Sequence, residues 1–90
     1  MSTKAVRVRV TGDVQGVFFR DACAERARKQ GVSGWVSNEA DGSVAGHFEG
    51  DPDAVDALVD WCRSGSPRAS VDDVEVGDAE QSGASGFEPR

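Results

Sequence analysis

The spacing of apolar residues changes along this chain of 90 residues, and the order of those changes limits the folds open to it. Residues 5–11 place three valines on one face and two arginines on the other. A period of two with β-branched residues is typical of a strand with one buried face. Residues 21–30 are rich in helix formers and end at Gly31, a residue suited to a helix C-cap. The chain therefore begins with a predicted strand that ends near Thr11 and a predicted helix that starts near Asp21.

Two further strands are predicted over residues 32–38 and 43–50. The segment between them contains Asp41 and Gly42. An Asp-Gly pair is a favoured hairpin turn because glycine takes a positive φ at little steric cost. We expect these two strands to pair with each other.

The second predicted helix covers residues 51–64 and has both a start signal and an apolar face. Asp51 is suited to the N-cap, and Pro52 is suited to the first helical position. The apolar residues recur at i, i+3, i+4 and i+7. They are Val55, Leu58, Val59 and Cys62.

A last strand is predicted over residues 70–76, where Val71 and Val74 are out of phase and indicate a bulge or a frayed start. The element order is then β-α-β-β-α-β. This order is typical of the ferredoxin-like α+β fold, the split βαβ plan. It predicts a four-stranded antiparallel sheet with both helices on one face.

The whole chain, residues 1–90, is predicted to be one domain with its core over about residues 5–76. Residues 77–90 form an acidic tail rich in glycine and serine. Two arrangements of this tail stay open: it is mobile, or its "GFEPR" end docks as a short fifth strand at the sheet edge.

Charge is the most informative feature of the composition. Sixteen acidic and ten basic residues give a net charge of −6, which argues against non-specific binding to nucleic acid or membranes. Large apolar residues are scarce, with one leucine and no isoleucine, and only two basic residues are lysines. This composition favours a salt-adapted, halophilic protein. An ordinary acidic protein is the alternative.

The remaining composition points to the cytoplasm and to a site without a metal. No apolar run approaches the roughly 18 residues of a membrane span, and the first residues lack the apolar centre of a signal peptide. Two cysteines and one histidine are too few for a disulfide framework, and they make a zinc site implausible. We expect His47 to be an exposed strand residue, and Cys23 and Cys62 to be small apolar residues of the helices.

The predicted loop over residues 13–20 is suited to an anion. At a helix N-terminus the first N–H groups lack intrahelical partners and the helix dipole is positive. Gly12 and Gly16 let the chain curl, so that N–H groups from Gln15 to Arg20 converge on one point. Arg20 can bind two phosphate oxygens at once. The spacing fits equally well an ordinary strand-to-helix connection with Arg20 on the surface.

A double motif adds to this interpretation. "GDVQGVFFR" is followed in order by "GVSGWVSNEADGSVAG". The pair resembles the acylphosphatase family pattern, G-x-V-Q-G-V-x-F-R and then G-W-V-x-N-x-x-D-G-x-V, and the likeness covers about residues 5–76. The resemblance implies metal-independent hydrolysis of a small acyl phosphate to a carboxylate and inorganic phosphate, with no cofactor. We expect a monomer with no partner beyond this substrate.

The resemblance also implies roles for individual residues. By position, Arg20 corresponds to the arginine that clamps the phosphate, and Asn38 to the asparagine that positions the attacking water. The substrate's own phosphate would take the proton from that water. The rest of the phosphate-binding loop would be Gln15, Gly16, Val17, Phe18 and Phe19.

Three residues depart from the family pattern. Asp13 puts a carboxylate near the loop, which would weaken phosphate binding unless it points away. Gln30 stands where family members usually bury an aliphatic residue. Pro89 removes a backbone donor from the short terminal strand.

Two other functions stay open. One is a non-catalytic anion-binding or regulatory domain of the same fold. The other is RNA binding, which uses the same element order but needs exposed aromatic residues on the central strands and a basic sheet. The first strand exposes Arg7 and Arg9 with no aromatic residue, and Trp35 and Trp61 are expected to pack against the core or the sheet.

Overall fold

Five strands and two helices are described over residues 2–90 in the computed structural model. They are β1 (Lys4–Asp13), α1 (Phe19–Gln30), β2 (Ser33–Asn38), β3 (Val44–Gly50), α2 (Pro52–Ser64), β4 (Ser70–Asp78) and β5 (Phe87–Pro89). The strands form one sheet in the order β4-β1-β3-β2-β5. Neighbouring strands are antiparallel except β2 and β5, which run parallel. The predicted ferredoxin-like α+β fold is confirmed, and β5 adds the fifth strand at the edge.

Both helices pack on one face of the sheet and against each other. α1 contacts β2 and β5, and α2 contacts β1, β3 and β4. The alternate valines of β1 are buried and the two arginines between them are exposed, as their period predicts. The four apolar residues predicted for α2 are all buried. Asp51 caps α2, because its side chain accepts a hydrogen bond from the N–H of Asp53.

Cys23 of α1 and Cys62 of α2 are fully buried in the core, as predicted for small apolar residues. A hydrogen bond with the Cys62 thiol, together with burial, raises the pKa of the Cys23 thiol. The thiol form therefore persists at neutral pH, and this pair acts as packing between the helices.

The irregular spacing of Val71 and Val74 corresponds to a bulge. Thr11 lies opposite Asp73 and Gly12 lies opposite Val71, so β4 carries one extra residue there. Gly12 is required at this point, since a Cβ would lie 2.3 Å from the carbonyl oxygen of Ser70. Gly12 thus serves the close approach of two strands.

The loop between β1 and α1 is shorter than predicted. β1 continues past Thr11 to Asp13, because pairing with β4 resumes after the bulge. α1 begins at Phe19 instead of Asp21, because Phe18 adopts a left-handed conformation that turns the chain directly into the helix. The connection is therefore residues 14–18.

The docked arrangement of the tail is the one found. Phe87 is buried in the core, and its ring lies 5.9 Å from that of Phe48, centroid to centroid. The N–H of Arg90 donates to the carbonyl of Val36. Pro89 precedes this donor on an edge strand, a position where a missing N–H is tolerated.

The prediction that His47 is exposed is wrong. Its side chain is 12% exposed, and its Nε2 lies 2.8 Å from Oε1 of Glu49. The segment between β4 and β5 contacts the sheet here, since the N–H and hydroxyl of Ser82 both donate to Glu49. The Ser82 hydroxyl is the main cause that lowers the pKa of Glu49 to about 2, with a further contribution from His47. No helix among residues 2–90 is long and apolar enough to cross a membrane.

Candidate active site

Residues 14–18 turn the chain from β1 into α1 through two left-handed residues. Gly16 has a φ of 75°, and Phe18 has a φ of 62°. Glycine adopts this conformation at little cost, whereas a residue with a Cβ meets steric resistance. Phe18 occupies the N-cap position of α1, and no side chain caps the helix there. The first-turn N–H groups are thus left without a capping partner.

The backbone N–H groups of this turn are the donors that the sequence predicts for an anion. Within residues 2–90, the backbone N–H groups from Gln15 to Arg20 donate to no backbone acceptor. The N-terminal end of a helix also carries a partial positive charge. Free N–H groups in this position are suited to an anion such as phosphate.

Arg20 lies in the first turn of α1 and is held by the last residue of the chain described. Its Nη1 donates a hydrogen bond of 3.0 Å to the carbonyl oxygen of Arg90. Its Nε is buried and has no hydrogen-bond partner within residues 2–90, although Oδ1 of Asp21 lies 3.8 Å away. One nitrogen of the guanidinium, Nη1, is therefore already hydrogen-bonded, and the group has further N–H donors that can bind an anion.

Arg20 and Asn38 line the same cavity, which has a volume of about 370 Å³. Asn38 is the last residue of β2, where it lies opposite Val44 of β3. An exposed amide at this strand end can both donate and accept a hydrogen bond. The other residues that line the cavity are Val14, Gly16, Phe18, Phe19 and Asp21.

Two predicted loop residues do not line this cavity. Gln15 instead braces the loop, because its Nε2 donates to the carbonyl oxygens of Glu39 (2.7 Å) and Ser43 (2.9 Å) in the turn between β2 and β3. The carbonyl of Val17 accepts a hydrogen bond of 2.7 Å from the hydroxyl of Ser66, which is buried. These contacts attach the loop to the turn between β2 and β3 through Gln15, and to Ser66 beyond the end of α2 through Val17.

Phe19 is the first residue of α1, and its ring is buried. It packs against Trp61 of α2 with 5.3 Å between ring centroids. Gly65 lets the chain pass close to this ring, since a Cβ there would lie 2.7 Å from it. Phe19 thus locks the start of α1, and Arg20 with it, to the second helix.

The carboxylates near the site are Asp13 and Asp21. Asp13 is exposed and is not among the residues that line the cavity. Asp21 does line it, with its side chain 64% exposed. In the described part of the chain, no group of three histidine, cysteine or acidic residues could hold a metal ion.

Sequence reasoning missed three supporting contacts. The side-chain role of Gln15 and the contact of Ser66 depend on loops far along the chain, and the "SGSP" segment was the one available signal for the latter. The contact between Arg20 and Arg90 joins residues 70 positions apart and leaves no local pattern.

Comparisons with known proteins give one consistent result. A family model described as Acylphosphatase matches residues 6–89. An acylphosphatase of Rubrobacter xylanophilus is 58% identical over 89 residues, which cover 98% of this chain and 81% of that protein. An acylphosphatase of Haloquadratum walsbyi is 52% identical over 81 residues, 90% of this chain and 87% of that protein. A solved acylphosphatase structure from Coxiella burnetii has a TM-score of 0.94 and 33% identity, covering 98% of this chain and 93% of its own.

Proposed function

Because the chain belongs to the acylphosphatase family, we propose that it hydrolyses acyl phosphates at the cavity between Arg20 and Asn38. The products are a carboxylate and inorganic phosphate. The observation that carries this proposal is that one cavity joins a helix N-terminus with free N–H groups, an arginine with free donors and an unshielded amide. Together the three meet the two requirements of the reaction.

The first requirement is to bind the phosphate. The N–H groups from Gln15 to Arg20 surround its oxygens, and the guanidinium of Arg20 bonds two of them. The carbonyl of Arg90 keeps the guanidinium in place before the substrate arrives. Because these donors are held in position, they stabilise the charge on the transferring phosphoryl group with little reorganisation.

The second requirement is to direct water. The amide of Asn38 holds a water molecule on the side of phosphorus opposite the leaving carboxylate. The water oxygen bonds to phosphorus, and the bond from phosphorus to the carboxylate oxygen breaks. The proton of the water passes to an oxygen of the substrate's own phosphate. A carboxylate is a good leaving group, so the reaction needs no side chain as an acid.

The test is phosphate release from acetyl phosphate by the full chain in the presence of excess EDTA. We expect multiple turnovers per protein molecule, at a rate that added Mg²⁺ or Zn²⁺ does not increase. Inorganic phosphate should inhibit competitively, because it occupies the same donors. Tight phosphate binding without turnover would instead identify a non-catalytic anion-binding domain.

The same proposal covers the setting of the enzyme. We propose a monomer that acts in the cytoplasm on a small molecule, without a cofactor and without nucleic acid or membrane as a partner. The net charge of −6 supports the absence of nucleic acid and membrane as partners, since a negative protein is repelled by nucleic acid and by anionic lipid surfaces. The acidic, lysine-poor composition supports adaptation to concentrated salt.

A further inference from the structure

Phe18 combines two features that do not contribute to the stability of the fold. The residue is 70% exposed, although most of the large apolar residues described are buried. Its backbone has a φ of 62° at a position where glycine or asparagine meets less resistance. A bulky residue kept in this conformation, with its ring in solvent, points to a function for the ring.

The position of the ring suggests that function. Phe18 lines the cavity that also contains Arg20 and Asn38. The proposed phosphate-binding donors, the N–H groups from Gln15 to Arg20, lie on both sides of Phe18 at the start of α1. The acyl group of a bound substrate extends away from the phosphate, and the exposed ring offers an apolar surface at the same cavity.

The charged residues that line the cavity indicate which class of acyl group it can bind. Asp21 is the one carboxylate that lines it among the residues described. A negatively charged acyl group would be repelled by this carboxylate, whereas an uncharged one would not. An aromatic ring gains most from contact with Phe18, because two rings attract beyond their simple area of contact.

We propose that the ring of Phe18 is the acyl-binding surface of the enzyme and that it selects uncharged aromatic acyl phosphates. This inference rests on the proposed function, because it assigns the substrate class of that same cavity. Phe18 acts here through its side chain on the acyl group, separately from the backbone donors that bind phosphate.

The experiment measures kcat/KM for benzoyl phosphate and acetyl phosphate with wild type and Phe18→Asn. Asparagine tolerates the left-handed backbone and removes the ring. The quantity compared is kcat/KM for benzoyl phosphate divided by kcat/KM for acetyl phosphate. A general disturbance of the loop lowers both values and cancels in this ratio. We expect this ratio to fall about three- to tenfold in Phe18→Asn, through a higher KM for benzoyl phosphate.

Two further variants sharpen the result. Phe18→Tyr keeps the ring and should retain the wild-type ratio. Val76→Thr alters the other large apolar residue that is exposed, on β4, and should also retain it. A wild-type ratio in Phe18→Asn would overturn the inference while leaving the hydrolase function intact. A fall of this ratio in Val76→Thr as large as the fall in Phe18→Asn would also overturn it. Failure of the wild type to hydrolyse either substrate would refute the proposed function itself.

Discussion

The guanidinium of Arg20 donates a hydrogen bond of 3.0 Å to the backbone carbonyl of Arg90, so the last residue described holds a residue at the start of the first helix. The side chain of Arg90 has a different neighbour, the ring of Trp35, with its charged carbon 5.0 Å from the ring centroid. The backbone and the side chain of Arg90 therefore make separable contributions.

This separation predicts different outcomes for two changes at the end of the chain. Deleting Pro89 and Arg90 removes the carbonyl and should raise KM about three- to tenfold, because a hydrogen bond to a charged group is lost. Arg90→Ala keeps the carbonyl and should leave KM within about twofold. Steady-state kinetics on acetyl phosphate checks both. Equal effects would show that the carbonyl does not position Arg20.

Acid should destabilise the protein partly through Glu49. Its pKa is lowered to about 2 from an ordinary value of 4.5, mainly by the hydroxyl of Ser82. A lowered folded-state pKa contributes stability above the unfolded value, and that stability is lost as the pH falls from about 4.5 toward 2. One proton gives a slope of at most about 1.4 kcal/mol per pH unit.

Urea unfolding of wild type and Glu49→Gln over this pH range tests the effect. The free energy of unfolding should fall more steeply in wild type than in Glu49→Gln. Ser82→Ala should make this fall smaller and end it at a higher pH, because the folded-state pKa of Glu49 then lies closer to 4.5. Parallel curves for all three proteins would remove Glu49 from the acid response.

Gln30 should be replaceable with a gain in stability. Its Oε1 is inaccessible to solvent and has no hydrogen-bond partner among the residues described. Gln30→Leu removes this unpaired acceptor and should raise the free energy of unfolding by about 1 kcal/mol, or Tm by about 4–8 °C. Lys29→Leu, at an exposed neighbour, is the control and should change stability by less than about 0.5 kcal/mol. A destabilised Gln30→Leu would mean that the amide has a structural role.

Salt should stabilise the fold. Acidic side chains repel one another over about 10 Å at 0.1 M ionic strength and over about 3 Å at 1 M. Asp72, Asp73 and Glu75 are exposed together on the edge strand β4. Tm measured by circular dichroism should therefore rise by several degrees between dilute buffer and molar KCl. An unchanged Tm would remove the proposed salt adaptation and leave the catalytic proposal standing.

Local patterns were sufficient to predict most of the fold. The valines of β1, the apolar face of α2 and the Asp41-Gly42 turn each act through near neighbours, so their spacing alone locates the elements. The start of α1 was missed because the left-handed Phe18 replaces an ordinary cap. The burial of His47 was missed because its partner Glu49 is bound by Ser82, which lies in a segment without periodicity.

The site could be predicted only as far as its motif. The double motif identified Arg20 and Asn38, and both line one cavity. The bracing of the loop by Gln15 and Ser66 depends on how distant loops meet in space, which no local spacing encodes. The exposure of Phe18 is likewise a tertiary property, since its neighbour Phe19 is just as apolar and is buried.

The central claim is that Arg20 binds the phosphate and that Asn38 positions the water, and steady-state kinetics of Arg20→Ala and Asn38→Ala test it most directly. Arg20→Ala should impair both KM and kcat, with a combined loss of about 10³-fold or more, and Arg20→Lys should recover little because a point charge cannot form the two-oxygen fork. Asn38→Ala should lower kcat by about 10²-fold while KM and inhibition by phosphate stay almost unchanged. Full activity in Arg20→Ala would contradict the claim, as would weakened phosphate binding with normal kcat in Asn38→Ala.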